Sequence, residues 1–142
     1  MSVCIKEADA KKLGAHHFAL TSDENKMKSL RKYFDVILST VSADHNMTRF
    51  FKLLKVDGTL AMVGLPPEDV PVDMEVLISA RRSLMGSMIG GIPETQEMLN
   101  YCAEHNILSD VEVIPIQKIN EAYERILKSD VKYRFVIDMA TL

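Results

Sequence analysis

The chain has 142 residues, of which 47% are hydrophobic and 26% are charged, and its formal net charge is −3. This balance is typical of a globular protein with a buried core, and the acidic charge argues against a nucleic-acid-binding surface. No apolar stretch approaches the roughly 20 residues that a transmembrane helix needs, and the charged N-terminal residues do not resemble a signal peptide. We therefore expect a cytoplasmic protein that binds neither membranes nor nucleic acids.

The first thirty residues predict two short helices around one strand. The composition of Lys6 to Leu13 is helical, and the glycine that follows is the residue expected just beyond a helix C-terminus. The apolar run from His17 to Leu20 predicts a short strand. A second helix is predicted from about Asp23 to Lys32, with a cap supplied by either Thr21 or Ser22.

The next segment, from residue 34 to 65, predicts a strand, a helix and a second strand. The run Phe34 to Val41 is β-rich with few charges, which suits a parallel strand covered on both faces. Apolar residues recur with helical spacing from His45 to Val56, and Asp57-Gly58 predicts a turn before a strand over Thr59 to Leu65. Two strands joined by one helix predict a crossover in a parallel sheet.

The second half continues this α/β alternation and contains a predicted domain boundary at Gly90 and Gly91. Before the boundary we expect a short helix over Met74 to Arg82 and a third strand over Ser83 to Ile89. Beyond it, the predicted order is helix, strand, helix, strand: Pro93 to His105, Val111 to Ile116, Ile119 to Lys128 and Tyr133 to Met139.

No motif in the chain carries catalytic chemistry. The six glycines form no GxGxxG turn, so the sequence lacks the opening strand, turn and helix of a doubly wound nucleotide-binding domain. HExxH, GxSxG, the phosphate-binding loop and CxxC are all absent. Cys4 and Cys102 lie too far apart in sequence for a zinc knot, and all four histidines are predicted to lie at the surface. We therefore expect neither catalytic residues nor metal ligands in this chain.

The ends of the predicted strands are the candidate ligand site, because open parallel sheets bind ligands beyond the carboxyl ends of their strands. These segments are Thr40 to Ala43, Val63 to Pro66 and Ser87 to Gly90, and each mixes small or polar residues with apolar ones. Their backbone groups could bind an amide while their side chains pack against a planar ring. Composition alone favours ordinary turns at these positions.

Several long segments resemble one family of enzymes. They are GSMIGGIPETQEMLNYCAEHNI at 86–107, INEAYERILKSDVKYRFVID at 119–138, LKVDGTLAMVGLP at 54–66, DVILSTVSADHN at 35–46 and KKLGA at 11–15. Together they resemble the C-terminal part of the zinc-type medium-chain alcohol dehydrogenases, particularly the cinnamyl alcohol dehydrogenase-like members.

The resemblance implies an α/β fold built from an incomplete Rossmann-like parallel sheet and a second segment. Residues 1–90 would be part of the NADP-binding domain, and residues 91–142 would be the C-terminal segment of the catalytic domain. The implied reaction is hydride transfer between NADP(H) and a primary alcohol or aldehyde. The catalytic zinc would be held by ligands outside this chain, so the chain alone would be inactive.

The resemblance also implies positions for the cofactor and the substrate. Lys6 matches the family's lysine that pairs with the 2′-phosphate of NADP, and a homodimer is implied because Leu84 to Ile89 resembles the family's dimer-forming edge. Leu65, Met88 and Ile89 would also line the pocket for the alcohol or aldehyde. The remaining cofactor-binding positions are Thr40, Val41 and Ser42 beside the nicotinamide, Val63, Gly64 and Leu65 beneath it, and Ser87, Met88 and Ile89 on the last wall.

Two other readings remain open from the sequence. The chain could be a truncated, non-catalytic module that binds a dinucleotide or dimerises through the same fold. A zinc-free quinone reductase of the same superfamily is a weaker alternative, because its C-terminal part would not be expected to carry both ETQEML and DVKYRFVID.

Overall fold

A computed structural model of the protein describes residues 7–128 and 130–142. The chain divides between Ile89 and Gly90 into two compact units, next to the glycine pair at which the sequence predicts a boundary. Each unit contains α-helices and a parallel sheet. No helix among the described residues is long and apolar enough to cross a membrane.

The first unit opens with helix α1, Glu7–Lys12. Its C-terminus is closed by Gly14, whose φ of +97° is easily adopted only by a residue without a Cβ atom. The N–H of Gly14 donates to the Lys11 carbonyl at 3.0 Å, and the N–H of Ala15 donates to the Ala10 carbonyl at 2.9 Å. This pair of bonds is the Schellman arrangement, and it confirms the predicted helix end.

Three parallel strands form the sheet of the first unit, in the order β1-β2-β3. Strand β1 is Phe34–Ser39, β2 is Leu54–Met62 and β3 is Ser83–Gly86. The predicted parallel crossover is therefore confirmed. The connecting helices are α2 at Glu24–Ser29 before β1, α3 at Met47–Phe51 between β1 and β2, and α4 at Met74–Ile78 between β2 and β3.

The core of this unit lies between the sheet and the helices α3 and α4. Phe51 and Leu54 are fully buried, and Met47, Leu60 and Val76 complete the cluster. Apolar residues at helical spacing in α3 and at alternate positions in β2 therefore meet in one layer.

The predicted helix from His45 to Val56 is too long, because β2 begins at Leu54 rather than at Thr59. The predicted turn at Asp57-Gly58 lies inside β2, where the register with β1 shifts between Phe34 and Val36. Asp57 has a positive φ of 62°, and its carboxylate accepts two bonds from Arg81, both at 2.7 Å. The prediction of a turn between a helix and a strand at Asp57-Gly58 is therefore wrong, because both residues belong to β2.

Two predictions around α2 are also corrected. His17 to Leu20 belongs to no strand of the described part of the chain, because a strand needs the backbone of a neighbour to bond with. The cap of α2 is Asp23 rather than Thr21 or Ser22, since the Asp23 carboxylate accepts the N–H of Lys26 at 2.9 Å.

The second unit has the predicted order of helix, strand, helix and strand. Its elements are α5 at Ile92–Glu104, β4 at Glu112–Pro115, α6 at Ile119–Leu127 and β5 at Phe135–Asp138, and β4 pairs with β5 in parallel.

Arg125 of α6 ties the second unit together. Its guanidinium donates to both carboxylate oxygens of Glu112, at 2.6 and 3.0 Å, and to Asp130 at 3.1 Å. The same group lies 4.9 Å from the centre of the Phe135 ring. A two-point bond to a carboxylate combined with a cation–π contact fixes the helix to both strands of the sheet.

Candidate functional site

The carboxyl ends of the three strands of the first unit lie side by side, held by backbone hydrogen bonds. The Ser39 carbonyl accepts the N–H groups of Val63 and Gly64, at 3.0 and 3.1 Å. The N–H of Ser87 donates to the Met62 carbonyl at 3.0 Å. The segments that follow β1, β2 and β3 are therefore neighbours, as expected for a parallel sheet.

Gly64 brings two of these segments into direct contact. A Cβ atom at this position would lie 2.5 Å from the Val41 carbonyl oxygen and 2.7 Å from the carbonyl carbon of Thr40. Both atoms belong to the backbone and cannot move aside as the tip of a side chain could. Only glycine allows the segment after β2 to pack against the segment after β1 in this way.

A cleft of about 500 Å³ opens at the ends of β2 and β3. It has a volume suited to a small molecule or part of a cofactor, and its walls are mainly apolar. Five of the predicted cofactor-binding residues line it: Val63, Gly64, Leu65, Ser87 and Met88. Its other lining residues are Met47, Met62, Pro66, Pro67, Glu68, Asp69, Val70, Val72, Leu84 and Gly86.

The other predicted site residues stand apart from this cleft. Val41 reaches it only through the backbone contact with Gly64, and the side chains of Thr40 and Ser42 are exposed. Ile89 follows β3 with a side chain that is 92% exposed. Lys6 lies outside the described residues.

The polar groups of the cleft favour a ligand that accepts hydrogen bonds. Within the described residues the N–H of Leu65 donates to no acceptor, so it is available to a ligand carbonyl. The Ser87 hydroxyl donates to the Met88 carbonyl at 3.1 Å, which leaves the hydroxyl oxygen as an acceptor. One donor and one acceptor between apolar walls match the needs of a carboxamide on a planar ring.

Two carboxylates of the cleft were missed by the sequence analysis. Glu68 and Asp69 line it from the loop that follows Pro66 and Pro67. Their acidic side chains would repel a phosphate placed beside them, so this part of the cleft favours an uncharged or positively charged group of a ligand. The signal for them was their position, because they follow directly on the segment Val63 to Pro66 that the sequence identifies as a candidate strand end.

His45 was also missed, because the sequence analysis placed every histidine at the surface. Its ring is half-buried, and Nδ1 lies 2.8 Å from the Ala43 carbonyl, so Nδ1 carries the hydrogen. The ring also meets Phe50 of α3 edge to face, with the centroids 5.7 Å apart. His45 therefore fastens the loop after β1 to the first turn of the crossover helix.

The described residues do not form a metal centre. Nowhere in residues 7–128 and 130–142 do three histidine, cysteine, aspartate or glutamate side chains come together as ligands. Cys102 is a free thiol whose sulfur contacts that of Met98 at 3.7 Å. The donor set of this part of the chain therefore does not fit a zinc ion.

Comparison with known proteins assigns the family. Residues 4–104 match the family model described as zinc-binding dehydrogenase. The chain is 53% identical over 139 residues to the aldehyde reductase YahK of Escherichia coli, a match that covers 96% of this chain and 40% of that protein.

Solved structures show the same relationship. A cinnamyl alcohol dehydrogenase from Sorghum bicolor is 35% identical with a TM-score of 0.86, over 93% of this chain and 37% of that one. The CAD from Helicobacter pylori, solved in complex with NADP(H), is 37% identical with a TM-score of 0.77, over 95% of this chain and 38% of that one. The chain thus spans about 40% of the length of the relatives it matches, and its fold is the expected incomplete Rossmann-like sheet with a further α/β segment. It belongs to the zinc-binding dehydrogenase family.

Proposed function

We propose that this chain is the C-terminal part of an NADP-dependent alcohol dehydrogenase or aldehyde reductase. The observation that carries the proposal is the cleft at the ends of β2 and β3, where five residues assigned to the cofactor by family resemblance meet. The similarity to an enzyme solved with NADP(H) supports the choice of cofactor. The reaction would be hydride transfer between NADP(H) and a primary alcohol or aldehyde.

The nicotinamide ring would lie in the cleft between the ends of the strands. Val63 and Met88 would pack against the faces of the ring, and the free N–H of Leu65 would bind its carboxamide oxygen. The bound cofactor supplies the hydride chemistry, and these residues would orient the ring and exclude water from it. Leu65, Met88 and Ile89 would also form an apolar wall for the carbon chain of the substrate.

The remaining cofactor contacts rest on the resemblance alone. Lys6 would pair with the 2′-phosphate, which distinguishes NADP from NAD because its negative charge attracts an ammonium group. Thr40, Val41 and Ser42 would lie beside the ribose and the ring. In this assignment residues 1–90 belong to the NADP-binding domain and residues 91–142 to the catalytic domain.

Zinc, when bound in the complete enzyme, would polarise the oxygen of the substrate as a Lewis acid. By the family resemblance its ligands would lie outside this chain. The chain alone would therefore lack activity. We further propose that the complete enzyme is cytoplasmic and a homodimer that uses the edge formed by Leu84 to Ile89.

The proposal is tested by the mass of the native protein, captured from its source cells with an antibody against this chain. We expect a polypeptide about two and a half times heavier than the 16.0 kDa of the chain, because the chain spans 40% of a matched relative. The captured protein should also oxidise NADPH in the presence of an aldehyde. A native product of 16.0 kDa would overturn the proposal in favour of a non-catalytic binding or dimerisation module.

A further inference from the structure

The loop between β1 and α3, residues 40–46, carries the cofactor positions Thr40 to Ser42. Its first part is fixed against the sheet, because the Val41 carbonyl packs directly on Gly64. Residues 42–44 lack such support: their side chains are exposed, and within the described residues their backbone groups make no hydrogen bond to other backbone groups. The middle of the loop therefore needs a different anchor if it is to keep one conformation.

His45 supplies this anchor. Its imidazole Nδ1 lies 2.8 Å from the carbonyl oxygen of Ala43, and a carbonyl can only accept, so Nδ1 carries the hydrogen and donates it. The ring also meets the Phe50 ring edge to face, with the centroids 5.7 Å apart and an angle of 76° between the planes. Phe50 belongs to α3, whose next residue, Phe51, is fully buried in the core. A carbonyl in the middle of the loop is thus tied by one side chain to a helix that is held in the core.

Both ends of the loop meet the cleft, so the position of its middle matters for the cofactor site. At one end Val41 contacts Gly64, which lines the cleft, and at the other end Met47 lines the cleft directly. Asn46 fixes this second end as the cap of α3, because its side chain accepts the N–H of Arg49 at 3.3 Å. A binding surface that is already ordered loses less conformational entropy when a ligand binds, so a restrained loop should bind the cofactor more strongly.

We propose that His45 is a positioning residue for NADP(H): its bond to the Ala43 carbonyl holds Thr40 to Ser42 in the conformation that binds the nicotinamide end of the cofactor. The ring acts through the loop, and it neither touches the cofactor nor transfers a proton. Nδ1 is a donor in this tautomer and in the protonated imidazole alike, so the restraint does not require a charge. The inference rests on the proposed function, because the cofactor positions in the loop come from it.

Two substitutions separate the hydrogen bond of His45 from the packing of its ring. His45→Asn removes the ring but keeps an N–H donor, because the amide nitrogen of asparagine is bonded to Cγ just as Nδ1 is. His45→Phe keeps an aromatic ring against Phe50 and removes the donor. A role in packing alone predicts that the asparagine variant is the more damaging one in every measurement.

The variants are compared in a chimera in which this chain replaces the matched segment of the Escherichia coli aldehyde reductase. His45→Phe should raise the KM for NADPH by about threefold to tenfold, as expected for the loss of one hydrogen bond, and change kcat by less than about twofold. His45→Asn should stay within about twofold of the unchanged chimera in both constants, because it keeps the donor. The melting temperature should follow the opposite order and fall more for His45→Asn, which loses the aromatic contact with Phe50.

His105→Phe is the matched control. Nδ1 of His105 also lies near a backbone carbonyl, that of Tyr101 at 2.9 Å, and its ring stacks on the Tyr101 ring with the centroids 4.0 Å apart. His105 belongs to the second unit and does not line the cleft. The same exchange of imidazole for a phenyl ring at this position should therefore leave the KM for NADPH unchanged.

A second measurement uses the 142-residue chain and requires no catalysis. Nitrogen NMR of the His45 imidazole should show the hydrogen on Nδ1. Backbone relaxation should give lower order parameters for residues 40–44 in His45→Phe than in His45→Asn or in the unchanged chain, because only the phenylalanine variant releases the loop.

A KM that rises more for His45→Asn than for His45→Phe would overturn the inference, because binding would then follow the packing of the ring. Equal order parameters in the two variants would also overturn it. An unchanged chimera that folds but does not oxidise NADPH would count against the proposed dehydrogenase activity. If the loop of the 142-residue chain still depended on the donor at residue 45, the restraint by His45 would stand, so the two failures are distinguishable.

Discussion

At the scale of the residue, Gly64 has a defined steric role. Gly64→Ala should lower the free energy of unfolding by about 1–3 kcal/mol, because the added methyl group would overlap the backbone of Thr40 and Val41. Gly86→Ala is the matched control at the end of β3, where the nearest atom to a Cβ is the Met62 carbonyl oxygen at 3.9 Å. Urea denaturation of the two variants measures the difference. Equal midpoints would show that the segment after β2 moves freely.

The ion pair between Glu112 and Arg125 predicts that the stability of the fold depends on pH. Hydrogen bonds from Arg125 lower the pKa of Glu112 below its ordinary value of 4.5. The ion pair therefore stabilises the fold fully above about pH 4.5, and this contribution is lost as the pH falls through the lowered pKa. Glu112→Gln should destabilise the chain at pH 7 and have a diminishing effect in acid, as measured by thermal unfolding at a series of pH values.

The control for that series is Glu124→Gln on the same helix. Glu124 pairs with Lys128 at 3.7 Å, and both side chains are more than 70% exposed, so its loss should change stability little at any pH. A Glu112→Gln effect that stays constant from neutral to acid pH would contradict the assigned role of the pair with Arg125.

At the scale of the element, the start of α2 depends on one side chain. Asp23→Ala should cost about 1 kcal/mol of stability, because it removes the acceptor for the N–H of Lys26 at the first turn. Ser22→Ala, at the residue that the sequence offered as an alternative cap, should have a much smaller effect. Chemical denaturation of the two variants distinguishes them. A larger loss for Ser22→Ala would show that the helix begins earlier.

The elements that the sequence mispredicted share a physical cause. A helix and a buried strand both place apolar residues at Leu53 and Leu54, so the pattern alone could not show where α3 ends and β2 begins. The run from His17 to Leu20 has the composition of a strand, but strand formation requires a neighbouring backbone that the described residues do not supply. The local sequence of these segments is compatible with more than one secondary structure, and tertiary contacts determine which one forms.

At the scale of the whole molecule, exposed apolar side chains should determine how the isolated chain binds apolar molecules in solution. Val36 and Leu38 are exposed apolar side chains on one face of the sheet of the first unit, and Leu65 and Met88 are exposed at the candidate cleft. The isolated chain should therefore bind an apolar fluorescent dye strongly, and Leu38→Asp should reduce the fluorescence while Ile78→Asp should reduce it less. Weak dye binding by the isolated chain would indicate that these surfaces are covered in another way.

Family membership and the α/β class followed from the sequence, because long segments such as GSMIGGIPETQEML and the strand–helix–strand pattern need no tertiary information. The sequence also indicated which strand ends belong to the candidate site, since the carboxyl ends of parallel strands lie at one edge of a sheet. The contact of Gly64 with Thr40 and Val41, the carboxylates of Glu68 and Asp69 in the cleft, and the exposure of Leu38 were decided only by the tertiary structure. Each depends on which distant segments pack together, and hydrophobic periodicity specifies that a face is apolar without specifying what covers it.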